Sequence, residues 1–241
     1  MAYVEYEKKG NIVVVTLNRP ERLNAQGRAV IDGVKDACAR YTADDDARVA
    51  IITGVGRAFS AGADINELAD TLVMVLAFNA VEEVKKPVIA AVNGIAFGAG
   101  FLLMLACDIR IAARSATFGL PEIARVIPLG PERLLAQRMP AALAMELLLT
   151  AEPITAQRAY EVGLVNKVVP DEELMPTALR TAERIAGFSP WAARLVKQAK
   201  IDETALSKEQ RVRELEYRRL ARQSEEFKKA VTDFVEKRKD P

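Results

Sequence analysis

Short runs of apolar and β-branched residues recur along the chain and predict buried strands. They are Ile12–Leu17, Val49–Thr53, Val88–Val92, Ile109–Ala112 and Leu164–Val169. Helical patterns lie between these runs, for example at Ala29–Tyr41 and in the alanine-rich stretch after Pro140. Because strand and helix alternate at βαβ spacing, the pattern predicts an α/β fold.

The longest uncharged run, Pro87–Cys107, raises the alternative of a membrane-spanning helix. Asn93-Gly94 is a strong turn signal, and Gly98-Ala99-Gly100 would interrupt a continuous helix. The run therefore predicts a buried strand, a turn and a helix that begins at about Phe101. We expect no membrane span.

The composition changes after about Phe188, where β-branched runs end and charges of both signs become dense. One apolar stripe at helical spacing remains in this region, formed by Phe227, Val231, Phe234 and Val235. Such a stripe packs on its own core or on a neighbouring subunit. The sequence thus predicts a core over residues 1–187 and a C-terminal helical oligomerisation region over residues 188–241.

Charge and residue usage exclude several classes of function. The chain has 34 Lys plus Arg, 33 Asp plus Glu and no histidine. The balanced charge argues against a nucleic-acid binder, and the lack of histidine removes Ser-His-Asp catalysis and the usual zinc sites. An acid or base must be a carboxylate, Lys, Tyr or Cys, and we expect no metal.

Two further features bear on the compartment. The charged segment Met1–Gly10 has no apolar stretch typical of a signal peptide, so the expected location is the cytoplasm. Cys38 and Cys107 form neither a disulfide framework nor a metal-binding pair. Both are interpreted as small buried hydrophobic residues.

Two motifs in the middle of the chain resemble known sites only in part. Gly54-Val55-Gly56 follows a predicted strand, but Phe59 occupies the third glycine position of a dinucleotide-binding loop. Ser60 lies one substitution away from a GxSxG nucleophile elbow, yet no histidine exists to activate it. An ordinary turn and a small loop residue are the favoured interpretations.

Two turns rich in Gly and Ala, residues 60–65 and 97–101, each join a strand to a helix. Small residues there allow a ligand to approach the backbone, and free amides at a helix N-terminus attract negative charge. Two such amides that converge on one oxygen would form an oxyanion hole. Tight turns made small for packing are the alternative, and the pattern alone leaves both open.

Glu122 is the candidate acid or base. It follows Pro121 in a helix-start pattern, so the carboxylate could simply complement the helix dipole. The residues around it are apolar, however. Burial raises the pKa of a carboxylate and so favours a role in proton transfer. The apolar neighbours are Phe118, Leu120, Ile123, Val126 and Ile127.

Taken together and in this order, the motifs resemble the crotonase superfamily, that is, the enoyl-CoA hydratase/isomerase family. The resemblance covers nearly the whole chain. The segments that carry it are Leu17–Pro20 with Leu23–Ala25, Ala58–Ile65, Pro87–Gly100, Cys107-Asp108, Phe118–Glu122 and Phe234–Lys239. It implies a spiral of repeated ββα units, a C-terminal helical region, and homotrimers or hexamers (dimers of trimers) that bind acyl-CoA thioesters.

The resemblance also implies roles for individual residues. The backbone amides of Ala63 and Ala99 are similar to the two oxyanion-hole donors, although the family usually has glycine at the second position. Coenzyme A would enter as part of the substrate, with no permanently bound cofactor. The residues implied in its binding are Arg22, Ala61, Gly62, Asp64, Ile65, Leu102, Phe234 and Lys237.

Family hydratases use two glutamates, and here the resemblance places Glu122 at the second and Leu102 at the first. This pattern resembles the single-glutamate isomerases that convert 3-enoyl-CoA to 2-enoyl-CoA. A hydratase, dehydratase, hydrolase or decarboxylase that uses Glu122 alone is the enzymatic alternative. A non-catalytic acyl-CoA or RNA-binding protein is the alternative of another class. The segment Ala124–Pro131 is shorter than usual, so the acyl pocket should differ.

Overall fold

The computed structural model describes residues 2–64, 66–67, 76–125, 135 and 138–204, with isolated positions at 207, 209, 210, 212, 216, 219, 223, 225, 228, 229 and 232. The strands are β1 Val4–Lys9, β2 Ile12–Leu17, β3 Val49–Gly54, β4 Ala58–Ser60, β5 Val88–Val92, β6 Ile95–Phe97, β7 Ile109–Ala113, β8 Thr117–Gly119, β9 Ile154–Thr155 and β10 Lys167–Val169. The α-helices are α1 Arg28–Ala43, α2 Leu76–Glu83, α3 Ala99–Ala106, α4 Ala141–Thr150, α5 Ala156–Glu161, α6 Leu174–Ala186 and α7 Pro190–Thr204.

The described strands form two sheets. The larger has the order β1-β2-β3-β5-β7-β10 and is parallel except for the β1–β2 pair. The smaller has the order β4-β6-β8-β9, in which β4, β6 and β8 are parallel. Successive pairs of strands therefore contribute one strand to each sheet, and a helix follows the pairs β3–β4 and β5–β6. This repeated ββα path confirms the predicted α/β spiral.

The central strands β2, β3, β5 and β7 of the larger sheet are buried on both faces, which explains their continuous apolar runs. Alternate side chains of β3 and β5 point into the spiral, while their neighbours contact helix α6 on the other face. Ile51, for example, belongs to the cluster that includes Leu174, Ala178 and Ala182 of α6. Ile52 belongs to the main core.

The uncharged run Pro87–Cys107 folds as predicted, as β5, β6 and helix α3. Helix α3 begins at Ala99, two residues before the predicted start. None of the described helices is long and apolar enough to cross a membrane. The predicted strand Leu164–Val169 is shorter in the structure, because Leu164 and Val165 instead donate hydrogen bonds to the carbonyl of Ala159 in the turn after α5.

Helix α7 is attached to the spiral by a buried lysine. The Nζ of Lys197 lies 2.7 Å from Oδ2 of Asp108 and donates a hydrogen bond to the carbonyl of Lys86 at 2.8 Å. The side chain of Lys197 is only 5% exposed. Asp108 also accepts the Val88 amide, so this carboxylate joins the end of α3, the start of β5 and helix α7.

The division of the chain near residue 187 stays a prediction. The apolar stripe predicted within the C-terminal region, Phe227, Val231, Phe234 and Val235, lies outside the described residues.

Replacing Asp108 with Asn should reduce the free energy of unfolding by about 2–4 kcal/mol, because Lys197 would keep a buried charge without its carboxylate. Chemical denaturation would measure the loss. The matched control is Glu173→Gln, which breaks the exposed Arg180–Glu173 pair and should cost less than about 1 kcal/mol. Equal losses in the two variants would contradict the attachment role of Asp108.

Candidate active site

Three turns meet at one edge of the smaller sheet. Strands β4, β6 and β8 are parallel neighbours, so their carboxyl ends lie side by side. The turns that follow them contain Ala61–Asp64, Gly98-Ala99 and Leu120–Glu122, respectively. The topology therefore brings together the two Gly/Ala-rich turns and the candidate base, which are far apart in sequence.

The first two turns are in contact through Gly62. This glycine has φ +105°, and a methyl group there would lie 3.0 Å from the carbonyl oxygen of Phe97 and 3.6 Å from the amide nitrogen of Ala99. Within the described residues, the amides of Ala63 and Ala99 donate no hydrogen bond. Two unused backbone donors thus lie on adjoining turns, as the oxyanion-hole hypothesis requires.

The amide of Ala99 has a further electrostatic advantage. Ala99 is the first residue of α3, where backbone N–H groups have no partner within the helix. The helix dipole places partial positive charge at this end. An oxygen that gains negative charge during a reaction would be stabilised there.

The Glu122 carboxylate lies beside the same turns. A methyl group at Gly98 would lie 2.7 Å from Oε1 of Glu122 and 3.8 Å from Cα of Gly62. Gly98 itself has φ +52°. The Oε2 atom of Glu122 is buried, although the residue as a whole is half-buried. The absence of a side chain at Gly98 leaves the space that Glu122 occupies.

The apolar surroundings predicted for Glu122 are present only in part. Phe118 and Leu120 are fully buried, as expected. Ile123 is instead exposed, because a short 3-10 turn directs it away from the core. Val126, Ile127 and most of the shortened segment Ala124–Pro131 lie outside the described residues.

Leu102 lies three residues after Ala99 on α3. Residues three apart on a helix share a face, and Ala99 and Leu102 are each 8% exposed. The following side chains of α3, from Leu103 to Ala106, are at most 1% exposed. The face of α3 that carries Ala99 and Leu102 is therefore apolar.

Internal hydrogen bonds hold the segment that the sequence predicts to bind coenzyme A. The amide of Ala61 donates to the carbonyl of Leu23 at 2.9 Å. The Asp64 carboxylate accepts from Arg19 at 2.7 Å and from the Asn66 amide at 3.0 Å. Because the side chain of Asp64 is bonded within the protein, the predicted ligand contact at this position would have to come from the backbone.

Of the other residues predicted to contact coenzyme A, one lies within the described residues and three lie outside them. Arg22 lies on the short 3-10 turn Pro20–Arg22 and is exposed. Ile65, Phe234 and Lys237 lie outside the described residues.

Ser60 and the cysteines take no part in the site. The Ser60 hydroxyl is buried, donates to the Asn24 carbonyl at 2.8 Å and accepts from Gln26 and the Gly62 amide. Burial raises the pKa of Cys38 to about 11 and that of Cys107 to about 12. Both thiols therefore stay protonated, which removes thiolate chemistry. No group of three or more potential metal ligands occurs in the described part of the chain.

Comparison with known proteins identifies the family. The family model described as enoyl-CoA hydratase/isomerase matches residues 7–241. The chain belongs to this family. As a member of the enoyl-CoA hydratase/isomerase family, it is an enzyme that acts on acyl-CoA thioesters. This finding goes against the alternative of a non-catalytic binding protein.

Proteins similar to this chain are named as hydratases or as an isomerase. A short-chain-enoyl-CoA hydratase from Clostridium acetobutylicum is 38% identical, over 97% of this chain and 94% of that protein. A carnitinyl-CoA hydratase from Mycobacterium avium has a TM-score of 0.86 at 33% identity, covering 98% of this chain and 97% of that chain. A monofunctional enoyl-CoA isomerase from M. smegmatis has a TM-score of 0.75 at 34% identity, covering 87% of this chain and 97% of that chain.

Two residues that support the candidate site were not predicted as site residues. Gly98 makes room for Glu122, and its sequence signal was a glycine in a Gly-rich turn before a helix, where positive φ is permitted. Asn24 is fully buried with φ +54°, and its side-chain amide donates to the carbonyls of Val55 and Ala58. An Asn in a loop is a signal for this conformation, because asparagine tolerates the left-handed region.

Gly98→Ala should reduce turnover of an enoyl-CoA by about tenfold or more, because the new methyl group would displace the Glu122 carboxylate. Steady-state kinetics would measure the change. Gly163→Ala is the matched control, since Gly163 also has positive φ but no atom lies within 4 Å of a methyl group there. Both variants should lose stability, and unchanged turnover in folded Gly98→Ala would contradict the assigned place of Glu122.

Proposed function

We propose that this enzyme converts 3-enoyl-CoA to 2-enoyl-CoA thioesters, with Glu122 as the single proton carrier. The observation that carries the proposal is the position of Glu122 against Gly98, next to the unused Ala99 amide, with the apolar Leu102 on the neighbouring helical turn. One carboxylate beside an oxyanion site is sufficient for double-bond migration.

The reaction uses the two amides to stabilise an enolate. The thioester oxygen accepts hydrogen bonds from the Ala63 and Ala99 amides, and the α3 dipole strengthens the second. Glu122 removes a proton from C2, and the electron pair of the broken C–H bond forms a C1–C2 double bond as the carbonyl π pair moves onto the thioester oxygen. When this charge returns, the C1–O double bond re-forms, the C1–C2 π pair becomes the C2–C3 double bond, and the C3–C4 π pair takes the proton from Glu122 at C4. The C3–C4 double bond is lost, and no co-reactant is consumed.

Leu102 favours this reaction over the addition of water. Hydration requires a water molecule held between two proton-handling groups, one to activate it and one to deliver a proton to carbon. An apolar side chain at Leu102 cannot hydrogen-bond a water on that side, and an unpaired polar molecule there is unfavourable.

Binding of the coenzyme A portion is the second part of the proposal. Ala61, Gly62, Asp64 and Ile65 form the segment assigned to the adenine end, and the exposed guanidinium of Arg22 is available to a phosphate. Phe234 and Lys237 would close over the ligand from the C-terminal region. Coenzyme A enters and leaves as part of the thioester, so no cofactor remains bound.

Hydration is the second candidate function, and the names of several relatives favour it. The proteins from C. acetobutylicum and M. avium are named as hydratases. Their identity to this chain is similar to that of the M. smegmatis isomerase. Product analysis separates the two reactions.

Glu122→Gln should abolish double-bond migration in a 3-enoyl-CoA, at a cost of roughly 3 kcal/mol or more in activation free energy, with nearly unchanged binding of coenzyme A. The amide has the shape of the carboxylate but cannot carry the proton. Product formation by mass spectrometry and binding by calorimetry would measure the two effects. Glu146→Gln, an exposed glutamate on α4, is the control and should keep full activity.

The same assay in ¹⁸O-labelled water decides between the candidates. Wild type should incorporate little label at C3 of a 2-enoyl-CoA, whereas Leu102→Glu should gain some incorporation. Repulsion between the two carboxylates would limit this gain by raising one pKa. Rapid, Glu122-dependent labelling by the wild type would overturn the isomerase proposal and support hydration.

Assembly into trimers or hexamers is the third part of the proposal, supported by an exposed apolar face on α7. Trp191 is 72% exposed and Val196 is 73% exposed, with Leu195 beside them. Trp191 and Leu195 are four residues apart and share one face of α7, and Val196 directly follows Leu195. A cluster of this kind on a monomer is unfavourable in water.

Light scattering at micromolar concentration should give the mass of a trimer or hexamer. Trp191→Glu should shift the population towards monomer, because a charge would be buried in the interface. Tyr160→Glu, at an exposed aromatic on α5, is the control and should keep the wild-type mass. A stable wild-type monomer would contradict this assembly.

A further inference from the structure

A buried ion pair lies directly behind the turn that carries Ala63. Nη1 of Arg19 lies 2.7 Å from Oδ2 of Asp64, and Asp64 is only 6% exposed. The same Nη1 donates to the carbonyl of Ala25 at 3.4 Å. Arg19 therefore joins the loop after β2 to the residue that follows Ala63.

The backbone on both sides of Ala63 is bonded to one residue of that loop. The Gln26 amide donates to the Gly62 carbonyl at 2.7 Å, and the Asp64 amide donates to the Gln26 carbonyl at 3.1 Å. This is a parallel bridge between Gln26 and Ala63. In such a bridge the bonded groups belong to the flanking residues, so the amide of Ala63 points away from the loop. Any movement of the loop or of Asp64 would turn this amide.

Arg19 is anchored in the loop by its own backbone as well. Its amide donates to Oδ1 of the buried Asn24 at 2.8 Å. Its Nε, in contrast, is buried without a hydrogen-bond partner in the described part of the chain, with the Glu21 carboxylate 3.9 Å away. A buried donor left unbonded lowers stability.

We infer that Arg19 is a positioning residue that holds the Ala63 amide, through Asp64, in the orientation needed to bind the thioester oxygen. The inference rests on the proposed function, because it assigns Ala63 as an oxyanion donor. Arg19 does not touch the substrate. It acts through Asp64 and the bridge to Gln26, and it fixes the direction of one N–H group.

The test combines kinetics with a spectroscopic measurement of carbonyl polarisation. The probe is 2,4-hexadienoyl-CoA, whose conjugated thioester absorbs at longer wavelength when donors polarise its carbonyl. Arg19→Gln and Asp64→Asn should each lower kcat about tenfold to a hundredfold, since a misdirected donor loses part of its stabilisation. Both should also reduce the red shift of the saturated complex, with KM changed by less than about threefold.

Arg19→Lys tests the ion pair itself. Lysine keeps the charge opposite Asp64 but has no planar group to reach Ala25 at the same time. Its kcat and red shift should lie between those of wild type and Arg19→Gln. A lysine variant no better than glutamine would overturn the inference.

Asp108→Asn is the matched control, because it also breaks a buried carboxylate–cation pair. Asp108 lies beyond the far end of α3, which has eight residues and is about 12 Å long. This variant should lose stability but keep the wild-type red shift. Folded Arg19→Gln with full red shift and full kcat would overturn the inference. A wild type with neither turnover nor red shift would instead overturn the proposed function.

Discussion

The parallel pairing of β4, β6 and β8 is the constraint on which the site depends. Each strand is only three residues long, and each is followed by a turn that contains predicted site residues. Parallel neighbours end at the same edge, so the ββα repeat brings residues 61–64, 98–99 and 120–122 together. Contacts of Gly62 with the turn after β6, and of Gly98 with Glu122, join these segments directly.

The arrangement also requires that the backbones of β4, of the turn after β6 and of α3 lie close together. A methyl group at Gly100 would collide with the carbonyl oxygen of Ser60, and one at Gly98 would collide with the Glu122 carboxylate. The packing interpretation and the oxyanion interpretation of the Gly/Ala-rich turns are therefore not exclusive. The small residues that let β4 and α3 pack closely are the same ones that leave the amides of Ala63 and Ala99 open to a ligand.

The parts of this structure that could be predicted from sequence have local signals. Apolar runs predicted β2, β3, β5 and β7 at nearly their observed bounds, and the Asn93-Gly94 turn separated β5 from β6. Contacts between distant segments have no such signal. Arg19 and Asp64 are 45 positions apart, and nothing in either neighbourhood identifies the other as its partner. The exposure of Ile123 was missed for a different, local reason, because the apolar pattern did not predict the 3-10 turn Ile123–Arg125.

In the proposed reaction, helix α3 explains why a single carboxylate is sufficient. All of its residues from Ala99 to Ala106 are buried, and none is charged. The helix would therefore contribute through a backbone amide and its dipole, which persist whatever side chains follow. Under this proposal, the fold stabilises the negative charge on the thioester oxygen, and side chains determine where the proton goes. Because Leu102 is apolar, the proposal assigns both proton transfers to Glu122.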